Sequence, residues 1–448
     1  MNGTNFASGA TLQLNGSPRP ATVVSSTQMQ ATLAAADLQT AQTLQVTVTN
    51  PAPGGGASNA VGLIVVADKI LFSSNRALTG GDAAGPRSNV WSMDADGFNQ
   101  VPLDGLAGAN SFNAVRSPDG SKVAFLSNRA LNGVDALNTN STQNLWVMNA
   151  DGSAPVALTK YTFTPASEGA LTASVAWSPD GSNIAYTSSG ALDGSDALAP
   201  AFNVWVAKSD GSSRKPLTRG TAFLAGAPVW SPDGGRIAFI STQNPDGSDA
   251  NVPTNNLWVM NADGSGATAL TKLNGPFILP PAPSILHFEP QWSPDGRRIS
   301  VTANRALDGS DTVVSNLNVW VINADGTGLT PLTRTLVGDS RSAVWSPDGT
   351  QIAFVSTRSL NGSNVANPTQ NLWIMDASGA GATALTQLSA AFANAPVWAP
   401  TGRHIRFFSN AALSGTDTAL SVENFWQIDS DRSNKTPLTR LTAANVTQ

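Results

Sequence analysis

From Lys69 onward the chain alternates short apolar stretches with clusters of Gly, Asp, Ser and Asn. Within Arg236–Ser241, Ile237, Phe239 and Ser241 alternate with Ala238 and Ile240, a period of two that predicts a strand rather than a helix. The same stretch of chain predicts three more strands: Ala227–Trp230 before it (A), and Asn256–Asn261 (C) and Ala267–Thr271 (D) after it, with Arg236–Ser241 as B. The A–B turn carries Pro second and Gly fourth, as a type I turn prefers. The C–D turn carries Asp-Gly, which supplies a residue able to take positive φ in a tight hairpin.

This four-strand pattern recurs. Ser-Pro-Asp-Gly begins at Ser117, Ser178, Ser231, Ser293 and Ser346, and a decayed copy begins at Ala399. Asn-(Val/Leu/Phe)-Trp occurs seven times, beginning at Asn89, Asn144, Asn203, Asn256, Asn318, Asn371 and Asn424. Strands closing in Leu-Thr follow, as at Leu158-Thr159 and Leu217-Thr218. Four-stranded units repeated in tandem predict an all-β fold, a seven-bladed β-propeller of antiparallel blades. Strands B, C and D appear seven times, but strand A only six, because the first unit opens at strand B, Lys69–Ser73. An open edge is a liability. Arg440–Gln448 is therefore predicted to supply the missing strand and close the ring.

Trp-Ser-Pro-Asp-Gly-x-x-Ile-Ala-Phe, then Asn-Leu-Trp-Val-Met-Asn-Ala-Asp-Gly and Leu-Thr, resembles the PD40 (WD40-like) repeat of TolB-like propellers. The resemblance covers Lys69 to the C-terminus and implies a bacterial envelope or extracellular protein that contacts other proteins. Some related propellers belong to peptidases or polysaccharide lyases. The opening residues differ. Asn2-Gly-Thr-Asn-Phe6, Asn15-Gly16, Val46–Asn59 and Leu63–Val66 resemble an IPT/TIG domain, a small immunoglobulin-like sandwich, here expected to be truncated at its N-terminus. The expected division is 1–66 for this domain and 67–448 for the propeller.

Composition narrows the partners. Charged residues make up 12 % of the chain, about half the usual ~25 % share. The net charge of −5 builds no basic stripe, so nucleic acid is not an expected partner. No apolar run reaches the ~18 residues that would predict membrane insertion by a helix. No cysteine is present, which removes disulfides, thiolate metal sites and a cysteine nucleophile. Two histidines, His287 and His404, do not make a histidine-rich metal centre, and no Gly-x-Ser-x-Gly elbow occurs. The sequence is thus expected to encode a monomeric binding module rather than an enzyme. A protein partner is the first reading; a polysaccharide bound or cut by the D–A insertions is the alternative.

The variable segments locate the expected site. In the resembled fold the A–B and C–D turns share one face, and the B–C and D–A connections share the other. The B–C connections look long, for example Gly190–Phe202 and Ala306–Leu317, and two D–A connections, Lys160–Ser174 and Lys272–Pro290, are extended. Loops on a rigid scaffold are where binding resides. The candidates on this face are Arg76, Arg129, Arg305 and Arg358, for an acidic partner or equally for pairing with the loop aspartates, Tyr161, Phe163 and Phe277 for a sugar, and His287 with Glu289 as a general base. The B–C motif Ala-Leu-(Asp/Asn)-Gly-x-Asp yields Asp82, Asp135, Asp196, Asp249, Asp311 and Asp417, with Asn364 in one copy. These side chains are expected to accept backbone N–H groups. No cofactor is required; the alternative is calcium, held by Asp193 with Asp196 and Asp308 with Asp311. All twelve Trp fall on two repeat positions, before Ser-Pro or in strand C, and are expected in the core.

Overall fold

The computed structural model describes residues 4–31, 42–52, 55–65, 69–79, 82–138, 141–162, 171–193, 198–272, 290–307, 313–360, 366–414, 417–443 and 445–447. The chain divides into two compact units, Met1–Lys69 and Ile70–Gln448. In the first, a four-stranded sheet runs in the order Ser17–Arg19, Thr11–Leu14, Gln42–Thr49, Val61–Val65, beside a hairpin of Ala21–Ser25 and Gln28–Ala31. Met29 of the hairpin packs with Leu12, Leu14, Leu44 and Val48 of the sheet, giving a small core of its own.

The second unit holds seven four-stranded antiparallel sheets among the described residues. The fourth repeat is representative, with A at Ala225–Trp230, B at Arg236–Gln243, C at Asn251–Asn261 and D at Thr268–Ala269. Six sheets follow the sequence order A-B-C-D, and in the remaining one Val446–Thr447 pairs with Lys69–Arg76. In that pairing Val446 lies opposite Ser74 and Thr447 opposite Ser73. Successive sheets meet along their A strands, so the D strands of two or three residues lie at the far edges of the sheets. Such short strands, several ending in Pro (Pro102, Pro331, Pro437), offer little edge for foreign strands to pair with.

Cores form between sheets. Phe239 and Trp258, adjacent across strands B and C, stack at 6.2 Å, and the pair packs with Val204, Val206 and Leu217 of the preceding sheet. The strand C Trp residues are all buried, as expected. Those before Ser-Pro fasten neighbouring sheets: Trp177, Trp292 and Trp398 Nε1 donate to Val115, Val229 and Val344 carbonyls of the sheet before, at 3.0, 3.3 and 3.1 Å. The C–D turn glycines are needed twice over. Gly264 has φ +93°, and a Cβ there would stand 2.9 Å from the Leu217 carbonyl of the preceding sheet.

The B–C connections differ from expectation. In the third, fourth, fifth and seventh repeats the hairpin resumes after a register shift, as where Gln243 pairs with Asn251 and Arg305 with Val313. Much of what reads as loop is ladder, because the shift lets backbone groups pair with each other beyond the irregular residue.

Candidate functional site

The expected arginines stack on indoles of their own sheets. Arg76, Arg129, Arg305 and Arg358 lie at the ends of B strands or just beyond, with guanidinium carbons 4.9, 5.0, 5.7 and 4.9 Å from the indole centroids of Trp91, Trp146, Trp320 and Trp373 in the same sheets. Arg129 is 7 % exposed. Desolvation pulls the Arg76, Arg129 and Arg358 guanidinium pKa values down. The indole faces take these groups as cation–π lids, and carboxylates attract two of them, Asp82 for Arg76 and Asp104 with Asp135 for Arg129. The sugar reading of Tyr161 is corrected. It is 1 % exposed, its ring lies under Arg214 at 5.0 Å, and Ser188 Oγ donates to its hydroxyl at 3.1 Å. A buried ring offers no face to a sugar.

Phe163, Phe277, His287, Glu289, Asp196, Asp308 and Asp311 lie outside the described residues, as does Asn364. Asp193 is exposed, and among the described residues no group of acidic or imidazole side chains fits a metal ion.

The loop aspartates do accept backbone N–H groups. Asp135 receives Ala107 and Gly108 at 2.9 and 2.8 Å, Asp249 receives Thr221 and Ala222, and Asp417 receives Ser389 and Ala390. Each ties a B–C connection to the D–A segment entering its own sheet. Asp82 does this for the tail, accepting from Thr442 and Ala443. The strand C Asn is a second tie. Asn144 Nδ2 donates to the Tyr161 carbonyl at 3.0 Å, while Tyr161 N–H and Thr159 Oγ donate to Asn144 Oδ1 at 2.7 and 2.9 Å.

The described surface is hollowed along the A strands. A cavity of about 910 Å³ is walled by the fifth to seventh repeats, and one of about 240 Å³ by the second to fifth. Gln291 touches both. Arg341, Gln370, Asn394 and Glu423 bring polar groups to the larger one, and burial pushes the Glu423 carboxyl pKa up. Ser342 and Ala395 in its wall have φ of +53° and +45°, and Asn113 and Ala227 in the smaller one +52° and +51°. Each sits at a register shift between strands A and B. Holding non-glycine residues left-handed is costly, and such strain concentrates at functional sites. The repeat pattern does not announce this region, although Ala-Pro at Ala227-Pro228 and Ala395-Pro396 marks two of the bulges.

His404 is partly buried in its strand, and its Nδ1 bonds Asp429. Asn434 and Ser433 also donate to Asp429, and Arg403 lies 3.3 Å away. The Asn434 hydrogen bond is the largest influence holding the Asp429 carboxyl at about 2, with the bonds from His404 and Ser433 adding to it. Because the folded-state pKa is depressed, this stabilisation is present above about pH 4 and is lost as pH falls through about 2. Asp429→Asn should lower the denaturation midpoint at pH 6, and the gap from wild type should close towards pH 2. A gap that persists unchanged at pH 2 contradicts the assignment.

No family model matches the chain. Over 107 residues it is 39 % identical to the Tol-Pal system protein TolB of Anaeromyxobacter dehalogenans, covering 23 % of this chain and 20 % of that protein. The repeated sheets are thus of a known kind. The fold is a TolB-like, PD40-type β-propeller. Over 128 residues the propeller chain is also 30 % identical to the uncharacterized peptidase YuxL of Bacillus subtilis, covering 29 % and 16 % of the two proteins. The chain thus spans a fifth or less of the curated relatives it matches. A puromycin-hydrolyzing peptidase of Mycobacterium tuberculosis shares the fold, with a TM-score of 0.52, 14 % identity and coverage of 83 % of this chain and 52 % of that one.

These matches overturn the expectation that the chain is not an enzyme. Part of the chain is similar to a curated peptidase, and a solved peptidase shares the fold. Most of the matched peptidase lies outside the shared stretch, so lack of a serine elbow here does not decide the matter.

Proposed function

We propose that this chain is a protein-binding module of the bacterial envelope, periplasmic or at the cell surface. Its seven blades form a ring closed by Val446–Thr447, and a partner docks at the mouth of the axial cavity between blades five and seven. The N-terminal unit is read as an IPT/TIG-like sandwich, and the working form as a monomer. The cavity carries the reading: about 910 Å³, with Arg341 and Glu423 in its wall and left-handed bulges at Ser342 and Ala395. Strained backbone held open beside charged groups is a preorganised surface for a polypeptide. The TolB stretch, by its name a component of a Tol-Pal system, supports the envelope setting.

The test is affinity capture from bacterial envelope extract, with the whole chain as bait and Arg341→Glu/Glu423→Lys as control. A single protein retained by the wild type, with at least about tenfold less on an equally stable variant, is expected. Equal retention by both removes the cavity from the reading. Capture of no protein removes the function.

A further inference from the structure

Two repeats supply a guanidinium to the next blade from one register, while the others hold Lys122, Asn183, Gln351 and His404 there. Strand B of blade four opens with Arg236 and that of blade five with Arg298, each five residues after the Ser of Ser-Pro-Asp-Gly. Each guanidinium covers the strand A Trp of the next blade, Arg236 at 4.9 Å from Trp292 and Arg298 at 4.8 Å from Trp345. Each also donates to the turns of that blade. Arg236 reaches the Ala324 and Gly296 carbonyls at 3.3 and 3.4 Å, and Arg298 reaches Ala377 at 3.3 Å. The turn aspartate of the arginine's own blade, Asp233 or Asp295, adds charge attraction.

Blade three has Asn183 at this register, five residues after Ser178. Its amide donates to the adjacent Ser182 Oγ at 2.7 Å. A cavity of about 660 Å³ stands where the arginine would be, lined by Asn183, Trp230, Gly234, Ala262 and Asp180. These are the counterparts of Arg236, Trp292, Gly296, Ala324 and Asp233. Trp230 is partly exposed, whereas Trp292 and Trp345 beneath their arginines are 8 % exposed, as are Trp177 and Trp398, which follow Lys122 and Gln351. Lys208 and Lys215 also line the cavity, but Lys215 Nζ donates to the Asp263 carbonyl at 3.3 Å, and among the described residues no cation stacks on Trp230.

We propose that this cavity, on the turn face between blades three and four, binds a guanidinium group from outside the chain. The plane of the guanidinium lies on Trp230, its N–H groups donate to Gly234 and Ala262 carbonyls, and Asp180 balances its charge. An ammonium group lacks the planar fork that serves an indole face and two carbonyls together. The site is on the opposite face from the axial cavity mouth, so its failure and that of the proposed docking site are distinguishable.

The test follows the Trp230 indole N–H by NMR in the whole chain, assigned by Trp230→Phe, during titration with N-acetyl-argininamide. Saturable shifts are expected, about tenfold weaker with N-acetyl-lysinamide. Asn183→Arg supplies the group internally, in a register where blades four and five already hold it. It should abolish the titration and raise the melting temperature, while Asn183→Gln keeps the titration. A short arginine-containing peptide that binds at least about tenfold tighter than the single residue names a protein segment as the source, and equal binding names a free guanidino compound. No saturation in the wild type, equal binding of the lysine probe, or an unaltered titration in Asn183→Arg overturns the proposal.

Discussion

Deleting Arg440–Gln448 is expected to lower the melting temperature by more than about 10 °C. The tail buries Leu441 and Val446, 3 % and 0 % exposed, against Ile70, Phe72 and Trp91. Two such side chains contribute about 3–6 kcal/mol, and each kcal/mol is worth roughly 2–4 °C in a large domain. Polar losses add to this. Asn424 would lose the Leu441 N–H and carbonyl, Asp82 the Thr442 and Ala443 amides, and Asn75 the Asn445 amide. The strand Lys69–Arg76 would then present a bare edge, so the truncated chain should also associate. Scanning calorimetry with light scattering reads both effects, and Val446→Asp should reproduce most of the first. A truncated chain that melts with the wild type would show that the terminal strand closes nothing.

Asn371→Ala should cost about 2–4 kcal/mol. The amide is fully buried. Its Oδ1 accepts from Thr386 Oγ at 3.0 Å and Leu388 N–H at 2.6 Å, and its Nδ2 donates to the Leu388 carbonyl at 2.9 Å. Alanine leaves the Leu388 N–H without its acceptor, although Thr369 Oγ still donates to the Leu388 carbonyl at 2.8 Å, and an unsatisfied buried polar group costs more than the net worth of the bond it made. Asn371→Asp should be as harmful, because a carboxylate cannot donate to the Leu388 carbonyl and its charge is buried. Denaturant titration measures both. Loss below about 0.5 kcal/mol would mean the D–A segment holds its path unaided.

The first blade shows how such ties vary. Asp104 stands where other copies have Thr, and its Oδ1 accepts the Val90 amide at 3.0 Å, as Thr386 Oγ accepts that of Leu372 at 2.9 Å. Burial pushes the Asp104 carboxyl pKa up. Sequence alone registers a missing Thr; the packed neighbours show that the replacement keeps the acceptor and adds a buried acid.

The repeat, the strand order A-B-C-D, the burial of all strand C tryptophans and the acceptor role of the loop aspartates were legible from the residues, because each depends on spacing within about fifty positions. Alternation fixes which face of a strand is apolar, and Pro and Gly fix the turns. Which side chains reach solvent was not legible. Arg129 and Tyr161 read as loop groups, yet an indole in the same sheet covers one and the next blade's arginine the other. The 660 Å³ cavity has the same origin: it exists because a residue of blade three is short where blade four presents a tryptophan. Contacts between repeats depend on how two faces meet. A sequence pattern specifies each face, but only the packed structure decides what fills the space between them.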